Sequence, residues 1–125
     1  MFQKVEVIQM AHALAAHAGA RQAAIARNVA HADTPGYRAA DLPGFAESWR
    51  AAGRLRATRA GHLSGSATLT LAARPVPGQP APNGNSVSLE AEMVRAAEVR
   101  HQHDLALSIY RSASNVMRAS LGRGR

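Results

Sequence analysis

The six histidines are the residues of this chain that could bind a transition metal, and their spacing argues against it. His101 and His103 are two positions apart, so a helix would direct them to different sides. His12 and His17 are five apart and miss the i, i+4 spacing that places two ligands on one helical face. Cysteine is also absent, so no thiolate could complete a zinc site. We therefore expect no metal site.

Motifs for catalysis and cofactor binding are missing as well. The Ser-Gly-Ser loop in the middle of the chain contains no Gly-x-Ser-x-Gly nucleophile elbow, and the only lysine, Lys4, belongs to no glycine-rich phosphate loop. The carboxylates of Glu90, Glu92 and Glu98 are explained by the start of a helix and by ion pairs such as Glu98 with Arg95. We therefore expect neither catalytic residues nor a bound cofactor.

The charge of the chain is strongly positive, with 15 basic residues against 8 acidic ones. The excess is concentrated over residues 50–59, which contain no acid and carry Arg50, Arg54, Arg56 and Arg59. A solvated loop is the simplest interpretation, although a basic run can also attract nucleic acid. Aromatic rings for base stacking are scarce, with one Trp, two Tyr and two Phe. A small basic helical nucleic-acid-binding protein and a helical adaptor remain as alternatives.

Alanine dominates the apolar part of this 125-residue chain, in which hydrophobic residues make up 46%. Because alanine favours helices but buries little area, a compact monomer would be weakly stabilised, and we expect helices that find partners in other chains. No apolar run reaches the roughly 20 residues of a membrane span. Glu6, Gln9 and His12 interrupt any signal-peptide core, so we expect no cleaved secretory signal.

The first long element is a helix predicted over residues 4–33. Its apolar residues recur in steps of three and four, which is typical of a coiled-coil seam. We favour pairing between chains over a core helix in a small globule, because the rest of the chain offers little to cover this seam. The seam contains Ile8, Ala11, Ala15, Ala18, Gln22, Ile25, Val29 and Ala32, with Leu14 beside it.

A sharp turn is predicted directly after this helix, at Asp33-Thr34-Pro35-Gly36-Tyr37. Pro35 has no backbone N–H and restrains Thr34 away from the α region, so the helix must end here. Pro-Gly suits the two central positions of a type II turn, in which Gly36 would adopt a positive φ.

Residues 38–86 are predicted to be a basic, loop-rich segment with little regular structure. A short helix is expected over 45–52, because Phe45 and Trp49 would share one face. The polar–apolar alternation over 67–71 predicts a short strand. Four of the six prolines fall within 74–86, which we expect to be extended or irregular and not the interior of an element.

A second long helix is predicted to begin after Ser88, a good N-cap, with Glu90 and Glu92 in its first turn. It should run for about thirty residues and stop at Gly122. Two neighbouring apolar stripes give it a wide apolar face: Leu89, Met93, Ala96, Leu107, Tyr110, Met117 and Leu121, and Val99, Ala106, Ile109, Ala113 and Val116.

Two segments carry a resemblance to a known family. Residues 28–37, Asn-Val-Ala-His-Ala-Asp-Thr-Pro-Gly-Tyr, closely resemble the signature near the N-terminus of bacterial flagellar axial proteins, which are the rod, hook and hook-associated proteins. Residues 84–93, Gly-Asn-Ser-Val-Ser-Leu-Glu-Ala-Glu-Met, are similar to the entry into the C-terminal helix of rod proteins in that family. His31 is a departure, since the family usually has asparagine there.

The resemblance implies a mainly α fold in which long N- and C-terminal helices pair as a coiled-coil-like bundle, joined by an irregular middle segment with possible short β-structure. Residues 1–37 and 87–125 would form one discontinuous assembly domain, and residues 38–86 would be a variable, basic middle segment. The predicted assembly interface comprises Ile8, Leu14, Gln22, Ile25, Asn28, Val29, Met93, Leu107, Ile109, Tyr110, Val116, Met117 and Leu121.

The resemblance also implies a function. The chain would be a structural subunit of the proximal rod of the flagellar basal body, polymerising through its terminal helices to help form the export-channel tube and to transmit torque. Its partners would be other copies of itself, the junction protein FliE, rod proteins such as FlgC, and the flagellar export apparatus in transit. Nucleic acid and small-molecule substrates are not expected. The location would be the periplasmic rod, reached without a cleaved signal peptide.

Overall fold

The computed structural model describes residues 2–53 and 69–122, and this part of the chain is mainly α-helical. Helix α1 spans Phe2–Ala30, α2 spans Phe45–Ala52 and α3 spans Leu89–Gly122. Strand β1, Ala40–Asp41, pairs antiparallel with β2, Arg74–Pro75. The predicted mainly α fold is confirmed. Among the described residues, no helix combines the length and apolarity needed to cross a membrane.

The two long helices pack against each other in antiparallel directions. Val7 of α1 and Val116 of α3 line one small groove, so the N-terminal end of α1 lies beside the C-terminal end of α3. The core between the helices consists of Ala18, Ile25 and Val99, with Ala96 packed against it. Small side chains let the two backbones approach closely. The terminal helices therefore pair as predicted, and they do so within one chain.

One side of α1 is covered by residues 39–48, here called the strap. His17 of α1 donates a hydrogen bond through Nε2 to the Pro43 carbonyl oxygen at 2.7 Å. The Phe45 ring packs edge-on against the His17 ring, with 5.7 Å between centroids. Leu42 is also buried. The strap thus encloses His17 completely, although this histidine lies off the predicted seam.

The predicted short helix is confirmed as α2, in which the Phe45 and Trp49 rings stack with centroids 5.8 Å apart. The strand predicted over 67–71 is wrong in its described part, since residues 69–71 are not in a strand. Residues 67 and 68 lie outside the described residues.

A strand occurs instead at Arg74–Pro75, at the start of the proline-rich segment that was expected to be extended or irregular. It pairs with β1 in the register Ala40 to Pro75 and Asp41 to Arg74. The Val76 N–H extends the pairing by donating to the Ala39 carbonyl at 2.9 Å. A two-residue edge strand tolerates Pro75, because the missing N–H is not needed for this ladder.

The ends of the long helices lie close to their predicted bounds. α1 ends at Ala30 instead of residue 33, because residues 31–36 form consecutive turns. α3 begins at Leu89, and the Ser88 hydroxyl oxygen accepts the Ala91 N–H at 3.4 Å. Ser88 is therefore the N-cap, as predicted.

Candidate assembly site

The two segments that carry the family resemblance meet in space, although about fifty residues separate them along the chain. The Gly36 N–H donates to the Asn83 carbonyl at 3.0 Å, and the Ser86 N–H donates to the Tyr37 carbonyl at 3.0 Å. The Ser86 hydroxyl oxygen accepts the Ala39 N–H at 2.8 Å. Residues 31–41 and 81–88 form one hydrogen-bonded unit, here called the junction. It fixes the end of α1 relative to the start of α3.

The signature turn has the geometry predicted for it. The Tyr37 N–H donates to the Thr34 carbonyl at 3.3 Å, which places Pro35 and Gly36 at the two central positions. Gly36 has a φ of +75°, as a type II turn requires at its third residue. The Tyr37 ring stacks on His31 with centroids 4.6 Å apart. The turn therefore places an aromatic pair within the junction.

Asn85 ties the end of α1 to the approach of α3. Its Nδ2 amide lies 2.8 Å from the carbonyl oxygens of His31, Ala32 and Thr34, and its Oδ1 accepts the Val87 N–H at 2.8 Å. These carbonyls belong to the turns that directly follow α1, and the His31 carbonyl also accepts the Thr34 N–H at 3.1 Å. Asn85 is buried and acts as a C-terminal cap supplied from the other end of the chain.

Asn28 plays a similar part on the other side of the junction. Its Nδ2 donates to the Ala40 carbonyl at 2.8 Å, and its Oδ1 accepts the Ala40 N–H at 3.1 Å. The Tyr37 hydroxyl donates to the same Oδ1 at 3.2 Å. The asparagine side chain thus pairs with Ala40 as a neighbouring strand would, and it has no exposed surface.

An ion cluster lies beside the junction and links α1, β1 and α3. Arg21 donates to both carboxylate oxygens of Asp41, at 3.0 and 3.2 Å from Nε and 3.0 Å from Nη2. Arg95 approaches Asp41 at 3.9 Å and pairs closely with Glu92. Arg21 also reaches Glu98 at 3.7 Å. The suggested pairing of Glu98 with Arg95 is wrong, because the antiparallel packing brings Glu98 opposite α1.

Within this cluster, the hydrogen bond with Asp41 raises the pKa of Arg21 above its ordinary value and outweighs the opposing effect of burial. A raised pKa in the folded state contributes stability at every pH below the ordinary arginine value, and this contribution is lost only in strong alkali. The Arg21–Asp41 pair therefore holds the strap against α1 throughout the neutral range. Glu92 is a buried member of the same cluster, although its sequence position suggested only a helix N-terminus.

A close backbone contact between Gly36 and Gly84 leads to a testable prediction. Gly84 has a φ of +82°, and a Cβ atom built on it would lie 3.2 Å from the Gly36 Cα. We expect Gly84→Ala to lower the free energy of unfolding by about 1–3 kcal/mol, measured by urea denaturation. Gly78→Ala is the matched control, because a Cβ at Gly78 meets nothing within 4 Å. Equal stability of the two variants would contradict the proposed tight junction.

The side of the α1–α3 pair away from the strap is exposed and carries a groove of about 650 Å³. Half of its lining residues are small, Ala18 and Gly19 from α1 and Ala96 and Ala97 from α3. The others are Gln22, Val99, Arg100 and His103. Met93 precedes Ala97 by one helical turn on this side and is 73% exposed. We call this side, with Gly19, Gln22, Met93, Ala97 and Arg100, the open face.

The structure places the predicted interface residues in three environments. Ile25 and Asn28 are buried inside the chain itself, against α3 and the junction. The half-buried members are Ile8, Leu14, Leu107, Ile109 and Met117. The exposed members are Gln22, Val29, Met93, Tyr110, Val116 and Leu121. Whether these exposed side chains contact other subunits stays a prediction.

Sequence reasoning missed the structural roles of Asn85, Arg21 and Asp41. Asn85 and Asp41 lie in or beside the two signature segments, so their positions indicated that they matter but not which contacts they make. Arg21 gave less signal, because arginine on an exposed helix is ordinary. The role of Arg21 is visible only in the folded chain, where residues 39–41 lie against α1 and Asp41 accepts the hydrogen bonds of Arg21.

Two long helices joined through a polar junction, with one side of the pair left exposed, define a mainly α-helical protein built on an antiparallel helix pair. No family model matches the chain. The flagellar basal body rod protein FlgB of Agrobacterium fabrum (strain C58) is 31% identical to it over 130 aligned residues, which cover 97% of this chain and 96% of the relative. The chain therefore belongs to the FlgB family of flagellar basal body rod proteins, as the resemblance predicted.

Proposed function

We propose that this chain is a structural subunit of the flagellar basal-body rod and that it assembles through the open face of the helical hairpin formed by α1 and α3. The observation that carries the proposal is which side chains remain exposed after α1 and α3 have paired. The hairpin buries Ile25 but leaves Gln22, Val29 and Met93 exposed, and Gln22 borders a groove whose lining includes four alanine and glycine residues. An exposed apolar strip with such a groove suits close packing of another helix.

The two ends of the chain would act as one assembly unit. Residues 1–37 and 87–125 contain the paired helices and part of the junction, and residues 38–86 would be a variable middle segment whose strap covers one side of α1. The antiparallel packing of α1 on α3 supports the pairing of the two ends, and the hydrogen bonds between residues 31–37 and 83–86 fix the end of the middle segment against the end of α1.

Family membership supports the finer parts of the proposal. Repeated helical packing would build a tube that serves as an export channel and transmits torque. The partners would be other copies, the junction protein FliE, rod proteins such as FlgC and, in transit, the export apparatus. The rod would lie in the periplasm, and the chain would reach it without a cleaved signal peptide. An axial assembly needs contacts that do not close on themselves, so the open face would pack against a different surface of the next subunit.

Met93→Asp tests the open face without disturbing the hairpin core, because the Met93 side chain is already solvated in the single chain. We expect this variant to keep its unfolding free energy within about 0.5 kcal/mol of the wild type and to form no rods, since a carboxylate buried at a subunit contact has no partner. Rod formation is scored by electron microscopy of basal bodies from a strain carrying the variant.

Two control variants accompany this test. Met93→Leu keeps an apolar side chain at the same position, and Ser112→Asp adds the same charge about 100° around α3 on another exposed side. Both should give rods. Normal rods with Met93→Asp, but none when Arg54→Gln and Arg56→Gln are combined, would refute the open face as the assembly surface and favour the nucleic-acid-binding alternative.

A further inference from the structure

The dipeptide Asn83-Gly84 lies in the junction and has a reactivity that the assembly proposal does not use. Of the asparagines in the chain, Asn83 alone is followed by glycine. Because glycine has no Cβ to shield its backbone nitrogen, that nitrogen can reach the side-chain amide of the preceding asparagine. The Asn83 side chain is also exposed, so water has access to its amide. The dipeptide therefore has the residue types and the exposure needed for conversion of asparagine to an acid.

The conversion of such a pair proceeds through a cyclic imide. Hydroxide removes the Gly84 amide proton, and the nitrogen attacks the Asn83 side-chain carbon Cγ. The bond from Cγ to the side-chain nitrogen breaks, and this nitrogen leaves as ammonia with a proton from water. A water molecule then opens the ring. Cleavage of the new bond gives aspartate, whereas cleavage of the original peptide bond gives isoaspartate, in which the main chain runs through the former side chain.

The folded junction restrains both groups that must react. The Gly84 N–H donates to the Ala81 carbonyl at 2.8 Å, and the Asn83 carbonyl accepts the Gly36 N–H at 3.0 Å. Asn83 Oδ1 accepts the Asn85 N–H at 3.1 Å. Ring closure must break the first of these hydrogen bonds, because the nitrogen of an imide carries no hydrogen. Gly84 also has little room to move, since a Cβ built on it would lie 3.2 Å from the Gly36 Cα.

We propose that Asn83-Gly84 is a modification site that the folded junction protects and that opening of the junction exposes to imide formation. The inference does not depend on the proposed function, because it rests on contacts within one chain. Local opening controls access to the reaction in the same way as it controls hydrogen exchange of a buried amide. The state of the junction therefore determines how fast this asparagine is lost.

The two products have different consequences for the junction. Aspartate at position 83 keeps the original backbone and an oxygen for the Asn85 N–H. Isoaspartate adds a methylene to the main chain between the Asn83 nitrogen and Gly84, so the carbonyl that accepts the Gly36 N–H is displaced. A chain that remains unfolded thus accumulates a form that no longer closes the junction.

Peptide mapping by mass spectrometry tests the protection directly. The chain is incubated in mildly alkaline buffer, once folded and once in guanidinium chloride, at the same pH and temperature. We expect the amide-to-acid mass increase at Asn83 to appear at least about tenfold faster in the unfolded chain. Equal rates in the two states would overturn the protection by the junction.

Asn115 is the internal reference in the same samples. It is exposed on α3 and is followed by Val116, whose branched side chain crowds the backbone nitrogen. Its conversion should be slow in both states. If Asn83 in denaturant converted no faster than Asn115, the assignment of a reactive site at Asn83-Gly84 would be wrong.

Asn85→Asp tests whether the junction as a whole provides the protection, because it removes the amide that contacts the end of α1 and leaves both reacting groups in place. In native buffer, this variant should convert Asn83 at least about fivefold faster than the wild type. Ser112→Asp adds the same charge on an exposed side of α3 and should leave the rate unchanged. An unchanged rate in Asn85→Asp would overturn the role of the junction.

A last measurement tests the consequence of the modification. Chains with isoaspartate and chains with aspartate at position 83 are separated by chromatography and returned to native buffer. Hydrogen exchange at the Gly36 amide should be at least about tenfold faster in the isoaspartate form, because its acceptor is displaced. Equal protection of Gly36 in the two forms would show that isoaspartate fits the junction and would overturn this part of the inference.

Discussion

Replacement of Ile25 by aspartate is expected to abolish cooperative folding of the isolated chain. Ile25 is 3% exposed and packs with Ala18 and Val99 in the core between the long helices. The substitution removes the largest side chain of α1 from that core and introduces a carboxylate without a partner. We expect a loss of about 4 kcal/mol or more in the free energy of unfolding, measured by urea denaturation followed by circular dichroism. A small alanine-rich domain has little stability beyond that amount.

Two variants control for this result. Ile25→Val removes one methylene and should cost about 1 kcal/mol. Met93→Asp puts the same charge on a predicted interface position that the hairpin leaves exposed, and its unfolding curve should match the wild type. If Ile25→Asp were as stable as Met93→Asp, Ile25 would not belong to the core of the single chain.

The parts of the fold that could be predicted are those encoded over short stretches of sequence. Pro35-Gly36 determines a turn by its own backbone restrictions, and Ser88 caps a helix through a hydroxyl three residues from its donor. The long helices follow from their apolar periodicity, and the pair Phe45 and Trp49 indicated α2. Each of these predictions depends on local sequence alone and not on the position of another segment.

The errors arose where a distant segment decides the outcome. Strand β2 exists because β1 offers its edge to Arg74–Pro75, and nothing local favours a strand at Pro75 over one at 69–71. Glu98 pairs with Arg21 instead of its own helical neighbour because α1 and α3 run antiparallel. Register between distant elements is not readable from either partner alone.

The seam shows the same limit at the candidate assembly site. Periodicity placed Gln22, Ile25 and Val29 on one stripe of α1, but it could not show which of them the chain itself would bury. In the structure, α3 covers Ile25 while Gln22 and Val29 remain exposed. The expectation that the rest of the chain offers little to cover this stripe underestimated α3, because alanines permit close packing with few large side chains. One stripe can therefore contribute both to the hairpin core and to a subunit surface.

Asn85→Asp is expected to separate the end of α1 from the start of α3. The replacement keeps the size of the side chain and an oxygen for the Val87 N–H, but it removes the amide that contacts the carbonyls of His31, Ala32 and Thr34. A carboxylate would then face these carbonyls at the negative end of the α1 helix dipole. We expect the free energy of unfolding to fall by about 2–4 kcal/mol, since several acceptors lose a buried donor and a charge is added beside them.

Asn83→Asp is the matched control for this prediction, because it makes the same chemical change two residues earlier at an exposed position. The Asn83 side chain acts as an acceptor through Oδ1, which lies 3.1 Å from the Asn85 N–H, and aspartate preserves that role. We expect its free energy of unfolding, measured by urea denaturation, to lie within about 0.5 kcal/mol of the wild type. Hydrogen exchange should in addition show faster exchange at Gly36 and Ser86 in Asn85→Asp, because their amides bond across the junction. Unchanged exchange at both amides, or equal stability of the two aspartate variants, would show that Asn85 does not hold the two signature segments together.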